Sequence, residues 1–177
     1  MHASRRALLS VLIGLSCPVT AFAQDANALR SELMSHFDLS MNKVIALAEA
    51  MPADKYQWKP GADAMPVGHV YAHIANYNFY YPATAMGVTT PADIKADTLE
   101  AMRDKAQIVA LLRRSAEHVR KSIAAMPAAQ LSANTRLYGR TVPQWAVLLQ
   151  LVAHMNEHLG QSIAYARAND VVPPWSR

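Results

Sequence analysis

The chain has 177 residues, a formal net charge of +4 and 52% hydrophobic residues, so it is long enough to bury a core of ordinary size. A single cysteine excludes a disulfide framework, and the lack of any cluster of Lys and Arg argues against a nucleic-acid-binding surface. No apolar run reaches the ~18 residues that a transmembrane helix needs.

The N-terminal segment has the pattern of a secretory signal peptide. An arginine pair at 5–6 precedes an apolar run at 7–15 that is too short to span a bilayer, and residues 21–23 form a small-x-small cleavage site. Cys17 raises a lipoprotein as the alternative, but Gly14 stands three residues before it instead of the usual leucine. The pattern therefore favours a cleaved signal over a lipid anchor.

We predict that the signal peptide covers residues 1–23 and that residues 24–177 form one mature domain, either periplasmic or secreted. Removal of the signal takes away two arginines and no acid, so the net charge falls to about +2. The mature domain then has no cysteine. Any metal must take histidine, carboxylate or water as its ligands.

Apolar residues of the mature chain recur at spacings of three and four, which predicts helices rather than strands. Four amphipathic stretches follow in chain order, at about 27–51, 66–86, 98–126 and 141–169. We expect the third to break into two pieces and residues 127–140 to form a long connection. These stretches predict an all-α protein with a single four-helix bundle.

The fourth stretch carries the motif HMNEH at 154–158. His154 and His158 continue the apolar stripe of this helix, so both side chains point where core side chains point. His69 and His73 repeat the four-residue spacing on the second stretch. Histidines from two helices that face the inside of a bundle are the usual way to build a metal site there, whereas a buried histidine pair without metal is the plainer alternative.

The same motif reads as H-x-x-E-H, a zinc-protease signature, but proteolysis is a poor fit. That chemistry needs a third ligand well beyond the motif, and Asp170 is the only acid after His158. Glu157 lies ~60° around the helix from His154, where it can act as a catalytic base or orient a ligand. A salt bridge at the surface or between helices is an equally good interpretation of Glu157.

Other polar side chains lie near the histidines in the sequence pattern. Asn76 is spaced to hydrogen-bond a ligand histidine or to serve helix packing. Gln161 is spaced to hydrogen-bond a ligand histidine or to line the pocket. We interpret His36 as a helix-packing residue and His118 as exposed. The tyrosines of the second stretch are expected to form core or pocket wall: Tyr77, Tyr80 and Tyr81.

Taken in order, several motifs resemble the DinB/YfiT-like superfamily over nearly all of the mature chain, and its secreted members most closely. They are Tyr56-x-Trp58-x-Pro60, Gly68-x-x-x-x-His73-Ile74-Ala75, His154-Met155-Asn156-Glu157-His158-x-Gly160-Gln161, Tyr165-x-Arg167 and Val172-Pro173-Pro174. The resemblance implies a four-helix bundle, often a homodimer. It also implies a divalent metal, zinc or nickel, whose ligands would be His73, His154 and His158. His69 departs from the family pattern, and three interpretations stay open for it: a fourth ligand, a hydrogen-bond partner of a ligand, or a residue on the adjoining face.

Three functions remain open at this point. The first is a metal-dependent transferase or hydrolase with an unknown small-molecule substrate, because three histidines leave a coordination position free. The thiol cofactors of the family's transferases are chiefly cytoplasmic, which argues for a different substrate in an exported member. The second is a metal- or small-ligand-binding protein of the envelope without turnover, and the third is a structural bundle with vestigial histidines.

Overall fold

The computed structural model describes residues 19–176, with side chains from residue 26 onward. Its elements follow in the order α1 (Val19–Ala50), α2 (Val67–Met86), α3 (Ala96–Leu99), α4 (Lys105–Ala124), α5 (Ala128–Leu131), β1 (Asn134–Leu137), β2 (Arg140–Pro143) and α6 (Trp145–Ala168), with short 3₁₀ turns at Ala53–Lys55 and Pro174–Ser176. The long helices α1, α2, α4 and α6 form the predicted all-α four-helix bundle. Residues 1–18 of the predicted signal lie outside the described residues.

The core lies between the four long helices. Helix α2 packs against α4 and α6, and α1 packs against α6. The apolar stripe predicted on α1 is buried from Leu33 to Leu47, while Leu29 at its start is 37% exposed. Within residues 19–176, no helix is both long and apolar enough to cross a membrane.

Gly68 explains how the loop before α2 closes onto the bundle. Its backbone N–H donates to the carbonyl of Tyr56 at 2.8 Å. A Cβ at this position would meet the Tyr56 ring at 3.0 Å and the Ile108 side chain at 3.2 Å. Glycine is therefore required by the close approach of the chain, which sets the start of α2 and the first of its histidines.

The helix boundaries differ from the prediction in three places. Helix α1 begins at Val19 rather than near 27, since residues 19–26 contain no proline or glycine to stop it. The third stretch is split as expected, but its long helix α4 begins only at Lys105. The side chain of Asp104 sets that start, because it accepts a hydrogen bond from the backbone N–H of Gln107 at 2.9 Å.

The third difference is the β1–β2 hairpin, where the sequence predicted a loop followed by the start of a helix at Thr141. The strands pair antiparallel from Asn134 opposite Pro143 to Leu137 opposite Arg140. Between them, Tyr138 (φ 49°) and Gly139 (φ 76°) both adopt the left-handed conformation that a two-residue hairpin turn demands. The hairpin occupies the residues expected to begin the fourth helix, so α6 starts at Trp145.

Candidate metal centre

Helices α2 and α6 bring three histidines together. His73 projects from α2, and His154 and His158 project from one side of α6, four residues apart. One ring nitrogen from each lies within 4.8 Å of the others. The ring centroids of the three pairs are 4.6 to 5.1 Å apart. The three residues that the sequence singled out as metal ligands therefore form one cluster.

Two of the ring nitrogens lie at the separation of metal ligands. The Nε2 atoms of His73 and His154 are 3.2 Å apart. Ligand nitrogens bound to zinc at 2.0–2.1 Å and at tetrahedral angles are about 3.3 Å apart. The donor set also fits, because neutral imidazole suits both zinc and nickel. The residues present thus match the metal that the family resemblance implied.

The outer nitrogen of His158 has a partner on its own helix. His158 Nδ1 lies 2.8 Å from Gln161 Oε1, and Gln161 Nε2 donates in turn to the hydroxyl of Tyr165 at 2.9 Å. Since the amide oxygen can only accept, His158 carries its proton on Nδ1 and keeps the lone pair of Nε2 available. Of the two roles the sequence left open for Gln161, the structure shows hydrogen bonding to a cluster histidine.

The outer nitrogen of His73 has a carboxylate partner that the sequence did not predict. Glu100, directly after α3, places Oε1 3.0 Å from His73 Nδ1, and its Oε2 lies 2.9 Å from His69 Nε2. Asn76 donates to the same Oε1 at 2.8 Å. His69 thus faces Glu100, and it forms with His73 and Glu100 a second group whose ligand atoms lie within 4.8 Å.

Burial lowers the pKa of two cluster histidines, His73 and His154, and so favours their neutral forms. Desolvation is the main cause that lowers the pKa of His154 to about 4, with the neighbouring His158 and His73 adding to it. Desolvation also lowers the pKa of His73, although Glu100 opposes this. Burial raises the pKa of the Glu100 carboxyl, but hydrogen bonds from Asn76 and His69 and the proximity of His73 outweigh it, so that its pKa lies below the ordinary value. Neutral rings beside an ionised carboxylate are the protonation states that cation binding requires.

Glu157 stands apart from the cluster. Its side chain is exposed, and among the described residues no hydrogen bond or ion pair engages it. Neither group of ligand atoms includes it. Its role as a base therefore stays a prediction.

Tyrosines line one side of the histidines. The Tyr77 ring lies 4.5 Å from the rings of both His73 and His154. Tyr81 is buried and hydrogen-bonds through its hydroxyl to Tyr138 at the hairpin turn, while Tyr80 is 48% exposed. The wall predicted for these residues is present next to the cluster, with Tyr80 at its solvent edge.

His36 and His118, the other two histidines among residues 19–176, have environments opposite to those predicted. His36, predicted to pack between helices, is exposed and pairs with Glu32 one turn earlier. His118, predicted to be exposed, is half-buried with its ring 5.0 Å from that of Phe79. His118 lies at the edge of the buried apolar face of α4, whereas His36 lies on the solvent-facing side of α1.

The larger surface grooves lie away from the cluster. One of about 590 Å³ runs between the end of α1 and the start of α4, and another of about 440 Å³ lies between α1 and the end of α4. Neither contains a cluster histidine.

The chain has clear likenesses among known proteins. A family model described as the DinB superfamily matches residues 36–165. The fold is similar to that of a DinB-like protein from Bacillus cereus ATCC 10987, with a TM-score of 0.68 at 15% identity, covering 80% of this chain and 93% of that one. It is also similar to that of a DinB-like protein from Bacillus subtilis, with a TM-score of 0.62 at 21% identity and the same coverages. No curated protein sequence matches the chain.

The family match covers all three cluster histidines and the helices that hold them. At identities of 15% and 21%, the two solved structures show a similar fold and nothing about function. The bundle they share with this chain agrees with the family assignment made on the sequence. The chain therefore belongs to the DinB superfamily.

Proposed function

We propose that the chain binds one divalent cation, zinc or nickel, and uses it in a transfer or hydrolysis reaction on a small molecule. The ligands would be His73, His154 and His158. One observation carries the proposal: the Nδ1 atoms of His73 and His158 are each engaged by an oxygen acceptor, which leaves their Nε2 atoms as the available donors. Metal-binding histidines in proteins are held by this kind of hydrogen bond.

The protein residues have separable roles in this site. Gln161 and Glu100 hold the rings of His158 and His73, respectively, in one tautomer. Tyr77 covers one side of the cluster and keeps water from that side. Three protein ligands are the pattern of a catalytic site rather than a closed structural one. A cation held there would supply Lewis-acid activation of the bound small molecule.

A non-catalytic metal- or ligand-binding protein of the envelope is the second candidate. The exposure of Glu157 favours it, since the residue we predicted as a base makes no contact with the cluster. Only turnover of a substrate separates this candidate from the first.

Metal analysis of the full chain, purified without an affinity tag, tests the proposal. We expect close to one equivalent of zinc or nickel, or uptake of one equivalent when either ion is added to metal-free protein. The His36→Ala variant is the matched control, because it removes an exposed histidine outside the cluster. Protein that neither contains nor takes up metal would contradict the proposal and favour a structural bundle with vestigial histidines.

A screen of small-molecule transfer and hydrolysis substrates then separates the two candidates. Turnover by the metal-loaded protein that disappears in His154→Ala would establish the enzyme. Metal binding of the same stoichiometry without turnover across the screen would favour the binding protein.

We also infer that the protein acts outside the cytoplasm after loss of residues 1–23. The support is the signal pattern in the sequence. Intact-mass measurement of the periplasmic or secreted protein should give a chain that begins at Gln24. A homodimer, which the family resemblance suggested, is a further part of the proposal, and light scattering of that mature protein tests it.

A further inference from the structure

The half-buried carboxylate of Glu100 lies against the outer nitrogen of His73, one of the proposed metal ligands. Glu100 reaches α2 from the end of α3, and three donors on α2 meet its two oxygens. His73 and Asn76 contact Oε1 at 3.0 and 2.8 Å, and His69 contacts Oε2 at 2.9 Å. The donors are spaced 69, 73 and 76, which places them on one face of the helix. The carboxylate is thus fixed from one side by a single rigid element.

The contact with His73 determines which of its nitrogens is free. An ionised carboxylate accepts hydrogen bonds and donates none, so the proton of neutral His73 must lie on Nδ1. The lone pair of Nε2 is then left toward His154, whose Nε2 is 3.2 Å away. A carboxylate acceptor on the outer nitrogen also makes the imidazole a stronger base.

We propose that Glu100 is a positioning residue of the histidine cluster, held in place by His69 and Asn76, and that it sets the tautomer and the ring orientation of His73 for cation binding. This inference rests on the proposed function. It assigns His69 a role as an anchor of Glu100 instead of a fourth ligand. Among the described residues, Glu100 is the only acid that pairs with both histidines of α2.

A second cation between His69, His73 and Glu100 is the competing interpretation. A neutral imidazole has one bare nitrogen and can serve one cation. Two cations on His73 would require its ring to lose both protons. The separations of 2.9 and 3.0 Å from Glu100 to the two rings lie in the range of N–H···O hydrogen bonds, which need no cation. The geometry therefore favours an anchor over a second site.

The experiment compares zinc affinity, by competition with a chromophoric chelator, in wild type, Glu100→Ala, Glu100→Gln and His69→Ala. We expect Glu100→Ala to bind zinc about 10- to 100-fold more weakly, the range seen when such orienting partners are lost. Glu100→Gln should lose less, because its amide oxygen can still accept from His73 but carries no charge. His69→Ala should lose least. Glu117→Ala is the matched control, since it removes an exposed carboxylate that pairs only with Lys121.

Two further readouts distinguish positioning from mere folding. Histidine ¹⁵N chemical shifts of the metal-free protein should show His73 with its proton on Nδ1 in wild type and a mixture of tautomers in Glu100→Ala. The visible spectrum of the Co²⁺ protein should change in Glu100→Ala and be partly restored in Glu100→Gln, at equal thermal stability of the metal-free proteins. If Glu100→Ala fails to fold, Glu100→Leu takes its place in both measurements, because it nearly keeps the size of the side chain and has no acceptor.

The outcomes separate the two proposals. If wild type binds neither zinc nor nickel, the proposed function fails. If wild type binds zinc and Glu100→Ala binds it equally well with an unchanged His73 tautomer, the positioning role fails while the proposed function stands. Two bound equivalents in wild type, with one lost in His69→Ala, would replace the anchor by a second cation site.

Discussion

Helix α2 contributes to two polar clusters that differ in how their buried hydrogen-bonding groups are paired. On the side facing α4, Asn78 donates to Ser115 Oγ at 3.0 Å, and Ser115 donates to the carbonyl of Leu112 at 2.9 Å. Both side chains are almost completely buried, at 2% and 0% exposure. On the side facing α6, His73 meets His154 and His158, and the ring nitrogens of His73 and His154 face each other.

The first cluster closes on itself, and the second does not. Asn78 donates to Ser115 inside the core, and Ser115 donates in turn to a backbone carbonyl, so that both donors are paired within the protein. The histidine cluster engages the outer nitrogens of His73 and His158 with Glu100 and Gln161, which leaves the Nε2 lone pairs of these two rings free of those partners. Internal pairing is typical of polar residues that serve structure, whereas converging acceptors are typical of residues that serve a cation.

The largest effect should come from His154→Ala, which removes one of the converging donors. We expect zinc affinity to fall by more than about 100-fold, because two protein ligands remain where three are typical. The stabilisation of the folded protein by added zinc should vanish with it, since binding energy is linked to folding. Thermal unfolding with and without zinc measures both. If added zinc stabilised His154→Ala as much as wild type, the histidine cluster would not be the cation site and the contrast between the two clusters would be wrong.

The opposite pattern is expected for Asn78→Leu, the matching change in the closed cluster. The free energy of unfolding of the metal-free protein should fall by about 1–3 kcal/mol, because a satisfied buried hydrogen-bond pair is broken. Zinc affinity should stay as in wild type. Urea denaturation and chelator competition on the same variant give the two numbers, and a large loss of zinc affinity would show that the clusters are coupled.

A smaller effect is expected for Gln161→Leu, which removes the oxygen acceptor of His158 but keeps all three histidines. Zinc should bind about 10-fold more weakly, at the low end for loss of such a partner. Asn156→Leu is the control, as it changes an exposed amide on the same helix that bonds Ser40 and the backbone of Val152. Equal affinity in Gln161→Leu and wild type would show that the orientation of His158 comes from packing alone.

The smallest effect is expected for Glu157→Gln. Because this side chain is exposed and lacks a contact with the cluster, zinc affinity should change by less than about twofold, within the range of an ordinary surface substitution. Chelator competition measures it. Loss of turnover at unchanged affinity would support the predicted base.

The sequence predicted the part of the site that depends on helical spacing. Four residues separate His154 from His158, and three separate His158 from Gln161, so a regular helix alone brings them to one face. The position of His73 opposite them depends on the packing of two helices. Helical spacing does not give that packing, and the prediction came from the family resemblance. The fold class followed from the same periodicity.

Glu100 was missed because its position depends on tertiary structure. It follows the four-residue helix α3 and lies 27 residues from His73 in the chain, in no motif with it. The sequence placed it in the first turn of a longer helix, where it would have been one more surface acid. The hairpin was missed for a similar reason, since its turn uses Tyr138 in a backbone conformation that tyrosine rarely adopts.

His73 and His154 meet directly although 81 residues separate them along the chain. Their encounter must therefore wait until the first half of the bundle has docked onto the last helix, a long-range event with a high loop-closure entropy. A cation bound to both would stabilise contacts that form late in folding, so it would slow unfolding more than it speeds folding. The rate of unfolding is thus where metal loading should leave its clearest kinetic mark.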